Sequence, residues 1–326
     1  MKAVVCKAFG PPDQLVVEDV PSPSPRETEV KIAVHACGVN FPDTLIIEGK
    51  YQFRAEPPFT PGGEIAGEVL EVGERVKHLR AGDRVMTVVP YGGFAEEVVV
   101  PAMGCFPFPK DMEYTAAAAF PMAYGTSYYA LNQRAQLKKD ETLLVLGAAG
   151  GVGLAAVELG KCMGARVIAA ASSDEKLEIC KKHGADEVIN YSDGKLKDKV
   201  KALTAGQGAD VIYDPVGGDL FQQSLSCINW NGRILVIGFA SGTIPEAAVN
   251  RALLKSCSIV GVFWGASMMR EPQANQDNFA QLDTWFGEHR IQPHVSKVYS
   301  LDQAPQAMLD MVARKAIGKL VVKVRD

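Results

Sequence analysis

The feature that most constrains this chain is a glycine-rich turn between a short apolar run and a helical pattern. The apolar run covers residues 143–146 and the helical pattern covers 152–163. Gly147 permits a tight turn, Gly150 lets the backbone approach a pyrophosphate, and Gly153 lets the helix pack closely on the strand. A helix N-terminus here offers free N–H groups and a positive dipole to phosphates. We therefore predict that a dinucleotide is bound by the residues of this turn: Gly147, Gly150, Gly151, Val152 and Gly153.

The glycine turn belongs to a series in which apolar runs alternate with helical patterns. Further apolar runs follow at 166–170, 210–213, 233–237 and 258–263, and helical patterns lie at 174–183, 194–204, 220–228 and 247–256. Such alternation predicts a parallel sheet that is covered by helices on both faces.

Residues 1–120 have a different pattern, of short strands separated by Gly and Pro. Residues 29–36 alternate apolar and polar side chains, and 65–72, 83–89 and 94–100 do so similarly. After Trp264 we expect a polar loop at 270–278, helices near 279–289 and 302–313, and a final strand at 319–324. This tail is thin for an independent core, so we predict that it rejoins the β-rich half. The predicted domains are 1–121 with 265–326, and 122–264.

Composition limits the class of protein. A chain of 326 residues exceeds what one hydrophobic core usually supports. Its net charge of −4 argues against nucleic acid or an anionic membrane as a partner, and no apolar run is long enough to span a bilayer. The N-terminus does not resemble a signal peptide. Seven scattered cysteines indicate reduced thiols, so we predict a cytoplasmic protein without disulfides.

The end of the second apolar run indicates which nicotinamide cofactor is bound. NAD enzymes place an acidic residue there for the ribose 2′-hydroxyl, but this chain has Ala171. The side chains of Ser172, Ser173 and Lys176 can receive a 2′-phosphate, so we predict NADPH. Asp174 is an acid close by, which we interpret as the N-cap of the helix at 175–183.

Two further segments are expected near the cofactor. Tyr191 ends the third strand and is either close to the adenosine or an ordinary half-buried strand tyrosine. Phe239 and Ser241 follow the run 233–237, at the carboxyl end of a strand, where cofactors lie in such sheets.

Several short motifs are spread along the whole chain: 38–43 (GVNFPD), 48–51 (EGKY), 61–67 (PGGEIAG), 82–85 (GDRV), 93–96 (GFAE), 119–126 (AFPMAYGT) and 318–321 (GKLV). Together they resemble the quinone oxidoreductase (zeta-crystallin-like) branch of the medium-chain dehydrogenases/reductases. The resemblance implies an α/β fold: a GroES-like β-rich catalytic domain plus a Rossmann, doubly wound parallel-sheet cofactor domain. It also implies that the C-terminus returns to the first domain.

The same resemblance bears on zinc. Related alcohol dehydrogenases hold a catalytic zinc through a Cys and a His, and Asn40 and Gly63 stand at those positions here. No Cys lies between 106 and 161, and Cys105 is not part of a cysteine cluster, whereas a zinc site needs several N, S or O ligands together. We therefore predict an enzyme without a metal.

The resemblance suggests four residues for the chemistry. Asn40 would offer its amide to the nicotinamide ribose or the substrate oxygen, or it is a turn residue beside Pro42. Asp43 would take part directly in the chemistry, although we favour a role in orienting the loop or capping a helix. Tyr51 matches the position where related enoyl-thioester reductases place a proton donor, and the alternative is an aromatic wall of the cleft. Thr126, in the linking helix, would lie near the nicotinamide ring.

Four other residues are expected beside the cofactor by the same resemblance. Phe263 and Trp264 would flank the carboxamide at the end of the last strand. Arg314 and Lys319 would supply a cation for the 2′-phosphate.

The resemblance implies an NADPH-dependent reductase of quinones or of small α,β-unsaturated carbonyls (enals and enones), because these acceptors delocalise the added negative charge and need no Lewis acid. The alternatives are an enoyl-CoA or acryloyl-CoA reductase of the same fold and a non-catalytic NADPH-binding protein. The short apolar strand at 258–263 would be an open sheet edge. Because members of the family often dimerise through such an edge, we predict a homodimer.

Overall fold

The computed structural model describes residues 1–325, which divide into two units. The first unit contains Met1–Met122 together with the C-terminal part of the chain from Pro293, and the second is Ala123–Gln292. The first boundary is one residue from the predicted one. The second lies 28 residues after the predicted boundary at 265, so the predicted assignment of 265–292 to the first domain is wrong.

The first unit is mostly β-structure. Its elements up to Met122 are β1 (Lys2–Val5), β2 (Val16–Asp19), β3 (Glu29–Val39), α1 (Phe41–Ile47), β4 (Glu64–Val72), β5 (Arg84–Val88), β6 (Glu97–Pro101), β7 (Cys105–Pro107), α2 (Tyr114–Ala117) and the start of α3 (Pro121–Tyr129).

The second unit alternates strands and helices. Its elements are β8 (Thr142–Val145), α4 (Gly151–Cys162), β9 (Arg166–Ala171), α5 (Asp174–Lys182), β10 (Glu187–Asn190), α6 (Leu196–Leu203), β11 (Ala209–Asp214), α7 (Gly218–Cys227), β12 (Ile228–Val236), α8 (Val249–Lys255), β13 (Ser258–Gly261), α9 (Trp264–Arg270) and α10 (Pro272–Gly287). The chain then returns to the first unit with β14 (Val295–Ser300), α11 (Ala304–Val312) and β15 (Lys319–Lys323).

In the first unit, the C-terminal strands complete a sheet begun by the N-terminal ones. The strand order is β14-β15-β3-β4-β5-β7, and β6 pairs with β3. β15 runs antiparallel to β3 with Leu320 opposite Val39, and β4 runs antiparallel to β3 with Glu64 opposite Gly38. Thus the end of β3 lies between the first residues of β4 and β15.

The second unit contains one parallel sheet in the order β10-β9-β8-β11-β12-β13. Counted within the unit, this is the 3-2-1-4-5-6 order of doubly wound dinucleotide-binding domains. The central strands are mostly apolar because helices cover both faces, and Leu143, Leu144 and Val145 of β8 have no exposed surface. The order reverses between β8 and β11, where such folds bind their ligands.

The predicted loop at 270–278 is instead the first half of α10. Pro272 stands at the start of this helix, a position where proline's fixed φ is favourable. Asn275 accepts a hydrogen bond from the Trp264 indole (3.0 Å), and Asn278 exchanges two amide hydrogen bonds with Gln133 (2.7 and 3.2 Å). These contacts attach α9 and α10 to the second unit, which explains where the boundary falls.

One carboxylate connects the two places where the chain crosses between units. Glu158, on α4, accepts hydrogen bonds from the Tyr124 hydroxyl (2.6 Å) and from the Gln292 backbone N–H (3.2 Å). Its other oxygen lies 2.7 Å from Nδ1 of His183. Tyr124 and Gln292 are close to the first and last residues of the second unit, so both crossings are fixed to the same helix.

Within the described residues, none of the helices combines the length and the apolar character required to cross a bilayer.

Candidate active site

A buried ion pair lies where β3, β4 and β15 meet. The Lys319 ammonium donates to Oε2 of Glu64 (2.6 Å), and both side chains are almost fully buried, at 5% and 0% exposure. The ammonium also donates to Oδ1 of Asn40 (2.6 Å) and to the Val39 carbonyl (3.3 Å). The second Glu64 oxygen accepts the Met122 backbone N–H (2.7 Å). Every strong donor and acceptor of the pair is therefore matched inside the first unit, as buried charges require.

The Asn40 amide is fully engaged as a donor. Its Nδ2 group donates to Oε2 of Glu64 (2.8 Å) and to the Gly38 carbonyl (3.3 Å), which uses both N–H bonds. Its Oδ1 accepts from Lys319, and the side chain also belongs to the capping box of α1 with Asp43. A hydrogen bond from this amide to a ribose or a substrate oxygen would replace one of these contacts, and the predicted role of Asn40 stays a prediction.

Lys319 does not occupy the position predicted for it. A cation for a 2′-phosphate must reach solvent, whereas Lys319 is 4% exposed and its three contacts are Glu64, Asn40 and a backbone carbonyl. Lys319 therefore neutralises the Glu64 carboxylate inside the first unit. Arg314, the other candidate, is exposed in the turn that follows α11.

Asp43 is a buried carboxyl that accepts backbone hydrogen bonds. It lies on α1, where it receives the Asn40 N–H (2.8 Å) and the N–H of Gly63. Burial raises the pKa of Asp43 from 3.8 to about 7, although these hydrogen bonds and the Lys319 charge act in the opposite direction. The protonated form of Asp43 is thus favoured relative to that of an exposed aspartate. Its predicted role in orienting the loop is supported by the Asn40 contact.

Tyr51 follows α1 and is partly buried against the core of the first unit. Burial raises the pKa of its phenol, and the nearby Asp43 charge raises that pKa further. Both effects keep the phenol protonated. Thr126 is half-buried in the middle of α3, five residues after the helix begins.

Gly63 lies in a tight space beside these groups. A Cβ atom there would be 2.6 Å from the Val89 carbonyl oxygen and 3.6 Å from Oδ1 of Asp43. Any side chain at this position, including a histidine ligand, would therefore require the backbone to move. Across residues 1–325, no three His, Cys, Asp or Glu side chains are grouped as metal ligands.

The glycine turn in the second unit has the geometry that a pyrophosphate needs. Gly147 has a φ of +55°, which glycine adopts at little cost, and a Cβ on Gly153 would be 2.4 Å from the Gly147 carbonyl oxygen. α4 begins at Gly151, with Gly150 as its N-cap. The first N–H groups of this 12-residue helix therefore point toward the turn, where phosphate oxygens are bound in such folds. The residues present fit a dinucleotide.

Two loops at the carboxyl edge of the sheet lie beside the glycine turn. A Cβ on Gly147 would be 3.0 Å from Val216, in the loop after β11. Ser241 donates its backbone N–H to the Val216 carbonyl (2.9 Å), so the segment with Phe239 and Ser241 packs on the same loop. The structure thus places these two predicted residues after the carboxyl end of β12, packed on the loop after β11 that contacts the turn.

The segment predicted to hold the 2′-phosphate follows β9. Ala171 ends this strand, Ser172 is exposed, and Tyr191 donates its N–H to the Ala171 carbonyl (3.0 Å). Ser173, not Asp174, is the N-cap of α5, and its Oγ accepts the Lys176 N–H (3.4 Å). Asp174 instead accepts from the Asn190 amide (2.8 Å). The prediction of Asp174 as the cap was wrong by one residue because both residue types cap helices well.

Phe263 and Trp264 differ in their surroundings. Phe263 is 59% exposed, whereas Trp264 is 3% exposed and donates its indole N–H to Asn275. The Trp264 ring lies against Gly125, where a Cβ would be 2.5 Å from the ring. Trp264 therefore packs α9 onto α3 and has no free polar group for a carboxamide.

Glu64 was not predicted as a functional residue. The signal was available, because a glutamate in the apolar sequence Gly63–Ala66 at the start of a buried strand needs a cationic partner. The partner is not evident from the sequence, since Lys319 lies 255 residues away.

Comparisons with known proteins agree with this geometry. Residues 26–110 match the family model described as alcohol dehydrogenase GroES-like domain, and residues 151–280 match the one described as zinc-binding dehydrogenase. The quinone oxidoreductase-like protein 2 homolog of Nematostella vectensis is 44% identical over 329 aligned positions, covering 100% of this chain and 89% of that protein. Human quinone oxidoreductase is 32% identical over 99% of this chain and 97% of its own length. The chain belongs to the quinone oxidoreductase family.

The fold of this family member is shared with a solved enzyme. The structure of Escherichia coli quinone oxidoreductase complexed with NADPH has a TM-score of 0.93 and 29% identity, covering 99% of this chain and 100% of that one. The predicted resemblance and the predicted combination of a GroES-like domain with a Rossmann domain are confirmed.

The ion pair gives a first prediction. Removing one partner of a buried pair leaves the other charge uncompensated, so Glu64→Gln and Lys319→Met should each lower the free energy of unfolding by about 3–5 kcal/mol. The double variant should cost less than the sum of the two, measured by urea unfolding. As a control, Glu18→Gln removes the exposed pair Lys7–Glu18 and should cost less than about 1 kcal/mol. Strictly additive costs would contradict the direct coupling.

Asp43 gives a second prediction, on pH. Because its folded-state pKa is raised from 3.8 to about 7, its contribution to stability is fully present below pH 3.8 and is lost as the pH rises through about 7. Between these values the urea midpoint of the protein should fall relative to that of Asp43→Asn, which lacks this titration. Asp19→Asn, at an exposed position, should keep the original pH dependence. Parallel curves for the protein and Asp43→Asn would refute the raised pKa.

Proposed function

We propose that this protein is an NADPH-dependent reductase of quinones or small α,β-unsaturated carbonyls, and that it acts without a metal. The observation that carries the proposal is the pair of residues at the metal-ligand positions of related alcohol dehydrogenases. Asn40 is saturated by protein donors and acceptors, and Gly63 has no room for a side chain. The similarity of the whole chain to quinone oxidoreductases supports the same function.

The absence of ligands at these positions favours conjugated acceptors. An isolated ketone accepts a hydride only if the oxygen charge is stabilised, and metals usually supply that stabilisation. A quinone or enone spreads the charge through its own conjugated system. NADPH, when bound, supplies the hydride, and the protein must supply orientation, a proton and exclusion of water.

In this proposal, Tyr51 donates the proton that the substrate takes up after the hydride. Its phenol stays protonated because of burial and the Asp43 charge, and it lies near a carboxyl whose pKa is about 7. A group that titrates near neutral pH can take up and return protons under working conditions.

The cofactor is assigned to the second unit. Its pyrophosphate would lie on the turn of Gly147, Gly150, Gly151, Val152 and Gly153, and its 2′-phosphate would be bound by Ser172, Ser173 and Lys176. Ser173 caps α5 with its oxygen lone pair, so its hydroxyl hydrogen remains available to an anion. No acidic side chain occupies the Ala171 position to repel that phosphate. NADPH-bound E. coli quinone oxidoreductase supports this choice.

We also propose a cytoplasmic homodimer that associates through β13. This strand is at the edge of the parallel sheet, and Ile259 on it is 39% exposed. Leu253 and Leu254 on the preceding helix are 78% and 69% exposed. An apolar edge strand with unpaired backbone groups invites pairing with a second copy. The seven cysteines are all free thiols, in keeping with a reducing compartment.

Turnover tests the function. With NADPH, the protein should reduce 9,10-phenanthrenequinone, 1,4-benzoquinone and 2-hexenal, with kcat/KM for NADPH at least about tenfold above that for NADH, as expected for one charge-assisted phosphate contact. The rate of NADPH oxidation, followed by the loss of its absorbance, measures turnover. Tight NADPH binding without turnover of any acceptor would favour the non-catalytic alternative. Preferential turnover of crotonyl-CoA would favour an enoyl-CoA reductase.

Lys176→Ala is the matched variant for the cofactor. It should raise the KM for NADPH by about tenfold and leave the KM for NADH unchanged, because NADH lacks the 2′-phosphate. Lys182→Ala, in the last turn of the same helix, should change neither value. An equal effect of Lys176→Ala on both cofactors would remove this residue from the phosphate site.

The dimer gives a separate prediction. Sedimentation equilibrium at micromolar concentration should give twice the mass of one chain. Ile259→Lys should shift the protein toward the monomer, because a charge on an edge strand opposes pairing. Val298→Lys, at an exposed position on β14 in the first unit, is the control and should leave the mass unchanged. A monomer at this concentration would refute the proposal.

A further inference from the structure

Three aromatic side chains from two loops of the first unit form a cluster, which we call the aromatic wall: Phe53, Phe59 and Tyr91. The Phe53 and Tyr91 rings are stacked, with centroids 5.8 Å apart and planes inclined by 22°. Phe59 packs edge-on against Tyr91 at 5.6 Å. Phe53 and Tyr91 are each 40% exposed, whereas Phe59 is 7% exposed. Phe59 is therefore the buried base, and the other two rings present surface to solvent.

The aromatic wall is held by the backbone next to the candidate site. The loop that carries Tyr91 is fixed at both ends: Val89 donates its N–H to the Gly63 carbonyl (2.8 Å), and Gly93 donates to that of Gly62 (2.8 Å). Gly63 directly precedes Glu64 and also donates its N–H to Asp43. The same short segment therefore connects Tyr91 to the buried ion pair and to the titratable carboxyl.

The loop that carries Phe53 is connected to the same site. It follows Tyr51, whose phenol senses the Asp43 charge, and ends at Phe59, which exchanges two backbone hydrogen bonds with Cys6 (2.8 and 3.2 Å). Two separate anchored loops thus bring exposed rings together, and one of these loops begins at Tyr51, the proposed proton donor.

We propose that Phe53 and Tyr91 are specificity-determining residues that select planar, ring-shaped acceptors over acyclic ones. The proposal rests on the proposed function and names its preferred substrates: quinones, with fused-ring quinones above single-ring quinones. A flat π-face gains offset stacking or edge contacts from exposed rings, whereas a flexible aliphatic chain gains only area burial. The exposed surface of two rings is far smaller than a stable protein interface needs, which favours a small ligand over a protein partner.

The test compares acceptors in two conservative variants. Phe53→Leu and Tyr91→Leu keep an apolar side chain but remove a ring, so each should lower kcat/KM for 9,10-phenanthrenequinone by about 3- to 10-fold. The loss for 1,4-benzoquinone should be smaller, and that for 2-hexenal less than about twofold. The KM for NADPH should not change, because neither residue belongs to the second unit.

Two controls separate this proposal from the function on which it depends. Trp230→Leu removes another exposed aromatic side chain (62% exposed), near the amino end of β12, and should leave all acceptor ratios unchanged. If the unaltered protein reduces the quinones but both loop variants keep its acceptor ratios, the aromatic wall has no role in selection. If the unaltered protein reduces none of the acceptors, the proposed function itself is wrong. Unchanged thermal midpoints in the variants would show that the loss is not one of folding.

Discussion

The buried ion pair between Lys319 and Glu64 is the interaction on which the candidate site depends. Two charges without access to water are stable only if both are matched, and here the matching partners are supplied by the ends of three neighbouring strands. The pair fixes the side chain of Asn40 from both sides. Because β15 comes from the last residues of the chain, the site cannot form until the C-terminus has returned to the first unit.

Because the hydrogen bonds of the ion pair and of Asn40 are all used within the protein, other groups must supply the proton. Asn40 has no N–H to offer, and Lys319 is held by three acceptors, so neither is a candidate proton donor to a substrate. Asp43 and Tyr51 remain, and burial raises the pKa of both. A raised pKa favours the protonated form, which suits groups that deliver a proton after a hydride has been accepted. The ion pair therefore fixes the positions of its neighbours, and the proposed proton donor is a different group.

The sequence predicted the fold well where one physical rule dominates. Alternating strands and helices with a glycine turn imply a parallel sheet, and the structure contains this sheet. The helix over 272–278 was missed because its buried positions are asparagines, and Asn275 and Asn278 are recognisable only through their partners Trp264 and Gln133. The role of Lys319 was missed for a similar reason, since its partner is defined by strand order and not by nearby sequence.

In the second unit, another buried carboxylate also connects parts of the chain that are distant in sequence. α4 receives the glycine turn at its N-terminus, and its buried Glu158 binds both Tyr124 and Gln292, beside the two crossings of the chain. A ligand that binds the folded turn stabilises the helix to which those crossings are fixed. Occupation of the phosphate site should therefore stabilise the crossings as well as the turn. Glu158 provides the physical connection, because its hydrogen bonds are made only when α4 is formed.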